Sequence, residues 1–319
     1  MPEGGIGRGM TRTLRVAAVQ AEPVLLDAKA TLAKAADLIR EAGAQGAGLI
    51  VFPETFVPAY AQWAHSARFE DALHKRVFAR LARNSVRVPE DLGVIADAAR
   101  RARATVAIGV TERVDGESPA NLYNTLAYFG PDGSYLGKHR KLVATHHERT
   151  IYRAGGGDTL RAMEVDGVRF GGLLCWNNFM PLARYALYRQ GIQVYLAPTA
   201  DDLPSWQTAM QFIARESRCF VVCATLLQRK SRFPEDFELR GDPAWEAENE
   251  WNERGGSCIL APDGTYLAGP VYEEETILYA DLDLDQVVAE RLTFDPAGHY
   301  SAGDVLRLQV AGLDPATRT

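Results

Sequence analysis

A layered α/β fold built on mixed β-sheet follows from three features of the sequence. Short apolar runs rich in β-branched residues alternate with longer stretches in which alanine and leucine recur at 3.6-residue spacing. Three further segments read as β-hairpins, each turning at Asp-Gly. No linker-like stretch divides the chain, so all of these elements belong to one domain in which helices cover sheet.

The elements follow in order. "LRVAAVQA" (14–21) is an apolar strand, and "DAKATLAKAADLIREAGAQGAG" (27–48) is a helix stopped by glycines. "LIVFPE" (49–54) is a second strand, ending at a proline and a carboxylate. Helical stretches at 68–85 and 88–103 precede the strand "TVAIGVTERV" (105–114). Residues 124–141 form a hairpin around Pro131-Asp132-Gly133, and 161–175 form another around Asp166-Gly167. A helix at 181–190, a strand at 193–199, a helix at 204–218 and a strand at 220–226 follow. The polar, acidic stretch 231–256 reads as a surface excursion, and 258–271 is a third hairpin.

Composition narrows the function. The chain has 319 residues, 47% hydrophobic and 24% charged, which is ordinary for a globular protein. A net charge of −6 argues against nucleic-acid or anionic-membrane partners, which need a basic face. No apolar stretch approaches the ~20 residues of a membrane span, and the N-terminal segment lacks the apolar core of a signal peptide. A cytoplasmic protein with a short flexible leader (1–13) is expected. Its four cysteines are too sparse for a disulfide framework. Cys219 and Cys223 fall on one face of a strand and, with Cys258, read as buried thiols.

Three polar residues stand where a strand's apolar run stops: Glu54 after "LIVFP", Lys141 after "YLGKHR" and Cys175 after "FGGLL". Strand ends are where α/β folds gather their ligand sites. Taken singly, each has an ordinary explanation as turn residue, surface charge or buried thiol. As a set they supply a nucleophile, a base for its proton and a cation for developing negative charge.

With these segments the chain resembles the nitrilase, or carbon–nitrogen hydrolase, superfamily. The resemblance rests on "VFPETFVPAY", "GKHRKLVATHHERTIY" and "GGLLCWNNFMPLARYALYRQG", with "LAPTADD", "IARESRCFVV" and "GHYSAGDVL" in support, and it spans about residues 14–310. The "CW" pair and the "THHER" segment are similar to the true nitrilase branch. The resemblance implies a four-layer α-β-β-α sandwich over 14–310, followed by a tail at 311–319. Dimers formed through a helix face, or larger homo-oligomers, are implied as well. It makes Glu54, Lys141 and Cys175 catalytic, with Glu148 holding the lysine, and puts Tyr60, His147, Trp176, Asn177 and Thr199 against the substrate. It implies hydrolysis of a small-molecule nitrile to acid and ammonia through a thioimidate and a thioester, with no metal or organic cofactor. An amidase or amide-releasing nitrilase is the neighbouring alternative. A catalytically silent scaffold would have lost one of the catalytic residues, and none is missing here.

Several features remain to be placed. "GGIGRG" precedes the first strand and reads as tail, not as a phosphate loop. The adjacent histidines of "THHER" are expected to diverge as on a strand or extended loop, which argues against a metal site. "RAGGGD" (153–158) reads as a loop near the entrance. Members of the family commonly carry glutamate where this chain has Asn177. That exchange either alters the partition between acid and amide or only preserves the loop after Cys175.

Overall fold

The computed structural model describes residues 12–66 and 70–313. Most of the expected leader and tail, the "GGIGRG" segment and the start of the expected helix at 68–85 lie outside the described residues. The first sheet begins with β1 (Thr13–Gln20), β2 (Leu49–Val51), β3 (Thr105–Arg113), β4 (Leu122–Phe129) and β5 (Tyr135–Arg140). The second holds β6 (Met163–Val165), β7 (Val168–Gly172), β8 (Val194–Leu196), β9 (Phe220–Cys223), β10 (Leu227–Arg229), β11 (Trp251–Leu260) and β12 (Tyr266–Tyr272). A last strand, β13 (Thr276–Asp283), returns to the first sheet, whose order is β13-β1-β2-β3-β4-β5. The second sheet runs β10-β11-β9-β8-β7-β6, with β12 beside β11. Both sheets are mixed: β1, β2 and β3 are parallel, as are β7, β8 and β9, and the flanking pairs are antiparallel.

Side-chain alternation along these strands produces four layers. One face of the first sheet, including Ala17, Val19, Ile50, Val106 and Ile108, packs on α1 (Ala28–Ala44) and, past α2 (Ala72–Arg83), on α3 (Gly93–Ala102). Its other face meets the second sheet through Val16, Val51, Ala107, Leu196, Val222 and Ile259. The far side of the second sheet packs on α4 (Pro181–Tyr188) and α5 (Pro204–Ser217) through Leu187, Trp206, Met210 and Ile213. Cys219, Val221 and Cys223 share that outer face, as period two requires, and Cys258 lies opposite Cys223. The α-β-β-α sandwich is therefore present, and all three hairpins form at their Asp-Gly turns.

One expectation is corrected. The stretch 231–256 is no surface excursion. Phe233, Phe237, Leu239 and Trp245 are buried with Trp63, Val77, Leu81 and Tyr152, the rings of Phe233, Phe237 and Trp245 meet at tilted and edge-on angles, α6 (Pro243–Glu246) forms within the stretch, and β11 starts at Trp251. Truncating a buried aromatic of this kind costs on the order of 3–5 kcal/mol, so a few anchors hold an otherwise polar segment. The sequence assigns no element after the third hairpin. There the chain adds β13 along β1 and ends in α7 (Asp285–Arg291). Among the described residues no helix is long and apolar enough to cross a membrane.

Candidate active site

Glu54 lies just past β2, where the chain crosses close over β3. A Cβ on Gly109 would sit 2.2 Å from the Pro53 carbonyl oxygen and 2.8 Å from the Glu54 Cα, so only glycine permits the crossing. Thr55 takes a left-handed φ of 42°, which turns the chain after the carboxylate. Glu54 is wholly buried, yet each carboxylate oxygen is bonded. Oε2 accepts the Ala200 N–H (3.0 Å), and Oε1 accepts Asn124 Nδ2 (2.7 Å) and Lys141 Nζ (2.7 Å).

Lys141 is the first residue after β5, and its N–H bonds the Asn124 carbonyl, so both of those residues are set by the β4–β5 pairing. Only 1% exposed, its ammonium uses three donors on three carboxylate oxygens: one of Glu54 and both of Glu148, at 2.9 and 2.7 Å. The seven residues from Lys141 to Glu148 fold back through a 3₁₀ turn (His146–Thr150). There Glu148 closes a capping box by accepting the Thr145 N–H at 3.0 Å. Tyr60 donates its hydroxyl to the other Glu148 oxygen at 2.7 Å.

Cys175 opens a 3₁₀ turn (Cys175–Phe179) three residues beyond the end of β7. Its φ of 47° is uncommon for a residue with a side chain and marks a backbone held by its surroundings. The holding bonds are local. The Cys175 N–H donates to the Pro198 carbonyl (3.0 Å), and Asn178 Nδ2 donates to the carbonyls of Leu173 (2.9 Å) and Cys175 (2.7 Å). Tyr195 and Arg184 in turn bond the side-chain and main-chain oxygens of Asn178. Asn177 ties this turn to the loop after Lys141. Its Oδ1 accepts the N–H groups of Leu142 (2.7 Å) and Val143 (3.2 Å), and its Nδ2 donates to the Val143 carbonyl (2.7 Å).

A family model for carbon–nitrogen hydrolases matches residues 15–291. The chain is 41% identical over 302 residues to an aliphatic nitrilase of Sinorhizobium fredii, covering 93% of this chain and 95% of that one. It is 38% identical over 304 residues to a bifunctional nitrilase/nitrile hydratase of Lupinus angustifolius, covering 93% and 86%. In fold it is similar to Saccharomyces cerevisiae Nit3, described as a member of branch 10 of the nitrilase superfamily. That match has a TM-score of 0.72 and 20% identity over 90% of this chain and 96% of that chain. The protein belongs to the carbon–nitrogen hydrolase family.

In this carbon–nitrogen hydrolase the cluster's charges shape one another. Burial raises the Glu54 carboxyl above its ordinary range, with Lys141 pulling against it and Glu148 adding to it. Burial works against the Lys141 ammonium, but Glu54, Glu148 and Cys175 outweigh it and keep the lysine charged. The Cys175 thiol is pushed well up by burial and by Glu54 and Glu148, against the opposing pull of Lys141 and a hydrogen bond from Thr199. At rest the sulfur is therefore a thiol, and its proton must leave as it attacks.

The remaining residues expected to meet substrate are distributed unevenly. Tyr60 and Thr199 are buried and engaged, Tyr60 with Glu148 and Thr199 with the Cys175 thiol and the Asp201 N–H. Trp176 is 49% exposed, with its indole N–H on Asp201 (2.8 Å) and its ring edge-on to Phe179. Half-buried His147 sits between His146 and His65, at ring-centroid distances of 4.0 and 5.0 Å. The two adjacent histidines therefore do not diverge as an extended segment would require, because His146 enters the 3₁₀ turn with a φ of 40°. "RAGGGD" packs beside the site, with the Gly155 N–H on the Lys141 carbonyl (2.8 Å). Asn124, Asn178 and Gly109 were not singled out by the sequence. Of these, only a glycine inside an apolar strand is a recognisable sign of close backbone approach.

Proposed function

We propose that the protein is a nitrilase that converts an organic nitrile and two waters to a carboxylic acid and ammonia at Cys175. One observation carries the reading. A chain similar over nearly its whole length to an aliphatic nitrilase buries Glu54, Lys141 and Glu148 in one hydrogen-bonded cluster whose charges act on Cys175.

Glu54, its affinity for protons raised by burial, takes the thiol proton as the sulfur attacks the nitrile carbon. Glu54 passes that proton to the nitrile nitrogen as the thioimidate forms, and is ionised again. Lys141 and the Trp176 N–H, which belongs to the first amides of a helical turn and so has no intrahelical carbonyl, stabilise the developing charge. Water adds to the thioimidate carbon with Glu54 accepting its proton. The protonated nitrogen leaves as ammonia, and a thioester remains. A second water hydrolyses the thioester, releasing the acid and restoring the thiol. Glu148 touches Lys141 and acts through it.

Collapse of the first tetrahedral species with loss of sulfur in place of ammonia would release amide, the nitrile hydratase activity for which the bifunctional Lupinus relative is named. The protein is proposed to work in the cytoplasm as a homodimer or larger assembly. Leu182 on α4 and Phe212 on α5 support an assembly through this helix face, with exposures of 68% and 57%. The deciding test incubates wild type and Cys175→Ala with aliphatic, arylaliphatic and aromatic nitriles and quantifies ammonia, acid and amide. Acid with equimolar ammonia from wild type alone is expected. Turnover of amides but of no nitrile would replace the reading with an amidase, and undiminished Cys175→Ala activity would remove the mechanism.

A further inference from the structure

Gln228 on β10 and Glu253 on β11 are paired in register, so their side chains project from the same face of the second sheet. That face looks toward Tyr60. Gln228 is fully buried, and its Nε2 reaches the Tyr60 carbonyl at 3.4 Å, while the Tyr60 hydroxyl bonds Glu148. The other end of the Gln228 amide, Oε1, is buried with no hydrogen-bond partner. Glu253 is 6% exposed, and no described residue donates to its carboxyl.

A buried amide oxygen without a donor, beside a carboxyl that no described residue bonds and at the edge of a catalytic cluster, calls for a ligand that brings donors. The nearby cation cannot supply them. Arg254 follows Glu253 on the strand and so projects to the opposite face, where its guanidinium pairs with Asp202. Asp201 and Asp202 are themselves engaged, by the Trp176 indole and by Arg254, so their charges press on Glu253 without relieving it. Burial first, then Asp202, Glu54, Asp201 and Glu148, hold the Glu253 carboxyl well above its usual range, which favours its protonated form.

We infer that Glu253 and Gln228 form a subsite for a primary amino group on the substrate, making this protein selective for amino-substituted nitriles; the inference rests on the nitrilase reading. A neutral amine entering the subsite takes the Glu253 proton and becomes an ammonium, leaving a carboxylate paired with it. One N–H meets Glu253, another meets Gln228 Oε1, and the positive charge is favoured by the surrounding carboxylates. A nitrile carrying a carboxylate meets the negative charges of Asp201, Asp202, Glu54 and Glu148 around the same place and is rejected.

The test compares kcat/KM for ω-aminonitriles of increasing chain length with those for alkyl nitriles of the same length. It uses wild type, Glu253→Gln and Gln228→Leu. In wild type the best-fitting aminonitrile is expected to be favoured over its alkyl isostere by about tenfold or more, ~1.4 kcal/mol of discrimination. The ratio should collapse toward one in Glu253→Gln and fall partway in Gln228→Leu. Because the readout is a ratio within one enzyme, general damage to the site cancels. Should Glu253→Gln fail to fold, inhibition of wild-type alkyl nitrile hydrolysis by butylamine but not by butanol is the matching prediction. Alkyl nitriles preferred by wild type, a ratio unchanged in both variants, or equal inhibition by butanol would overturn the subsite and leave the nitrilase reading standing. If wild type hydrolysed no nitrile of either series, the nitrilase reading would fail and take the subsite with it.

Discussion

Replacing Glu148 by glutamine tests how Lys141 is held. The ammonium spends two of its three donors on the two Glu148 oxygens, which also receive the Tyr60 hydroxyl and the Thr145 N–H. A glutamine offers one oxygen. That oxygen must face Thr145, whose amide can only donate, and the new NH₂ then confronts Lys141 and Tyr60. Tyr60 can turn its hydroxyl to accept, but Lys141 cannot, so one buried N–H of the ammonium loses its partner. Removing one member of a buried ion pair costs about 3–5 kcal/mol. Glu54 stays on Lys141 at 2.7 Å and softens the loss, so we expect about 2–4 kcal/mol in denaturant unfolding. Activity should fall further than stability alone explains, because a displaced lysine no longer faces the charge that develops during attack. Loss of one such electrostatic contact lowers kcat by roughly 10²–10³-fold, here with little change in KM. Stability within about 1 kcal/mol of wild type together with kcat within about threefold would show that Glu148 does not hold the lysine.

Other outcomes follow from the same geometry. Glu54 must be ionised to accept the thiol proton, and burial raises its pKa above 4.5. The acid limb of the kcat/KM profile should therefore have its midpoint above 4.5, falling about tenfold per pH unit below it. A limb at or below 4.5 would mean another base. Asn177→Leu leaves two N–H groups and one carbonyl of the Leu142–Val143 segment without their partners. We expect about 1–3 kcal/mol of destabilisation in the same unfolding assay and a kcat loss exceeding any KM change. Since every polar atom of Asn177 is engaged with backbone, the acid-to-amide ratio should stay fixed in this variant. A changed ratio in product analysis would instead put Asn177 in contact with the reacting atoms.

What the sequence made legible were the parts whose physics is local. Asp-Gly turns place the hairpins, 3.6-residue spacing places α1, α4 and α5, and the ends of apolar runs mark Glu54, Lys141 and Cys175. Glu148 needed the family resemblance, because nothing in seven residues of loop shows that it folds back onto Lys141. The parts that escaped depend on distant partners. β13 is recognisable only beside β1, since just two of its residues, Leu278 and Leu282, are buried. Phe233, Phe237 and Trp245 are outnumbered by charged neighbours, and a polar average hides three anchors that the fold buries together. Asn124 and Asn178 look like ordinary loop and strand amides until the carboxylate and carbonyls they bond are brought to them. Asn177, two residues after the nucleophile, joins the cysteine turn to the lysine loop.

The central claim is a covalent thioester on Cys175, and interception by hydroxylamine tests it most directly. Hydroxylamine attacks a thioester to give a hydroxamic acid, which neither free nitrile nor free acid yields under mild conditions. During nitrile turnover, added hydroxylamine should divert product from carboxylic acid to hydroxamic acid in proportion to its concentration, and Cys175→Ala should form neither. Acid as the sole product at every hydroxylamine concentration, or hydroxamic acid formed by Cys175→Ala, would contradict the account.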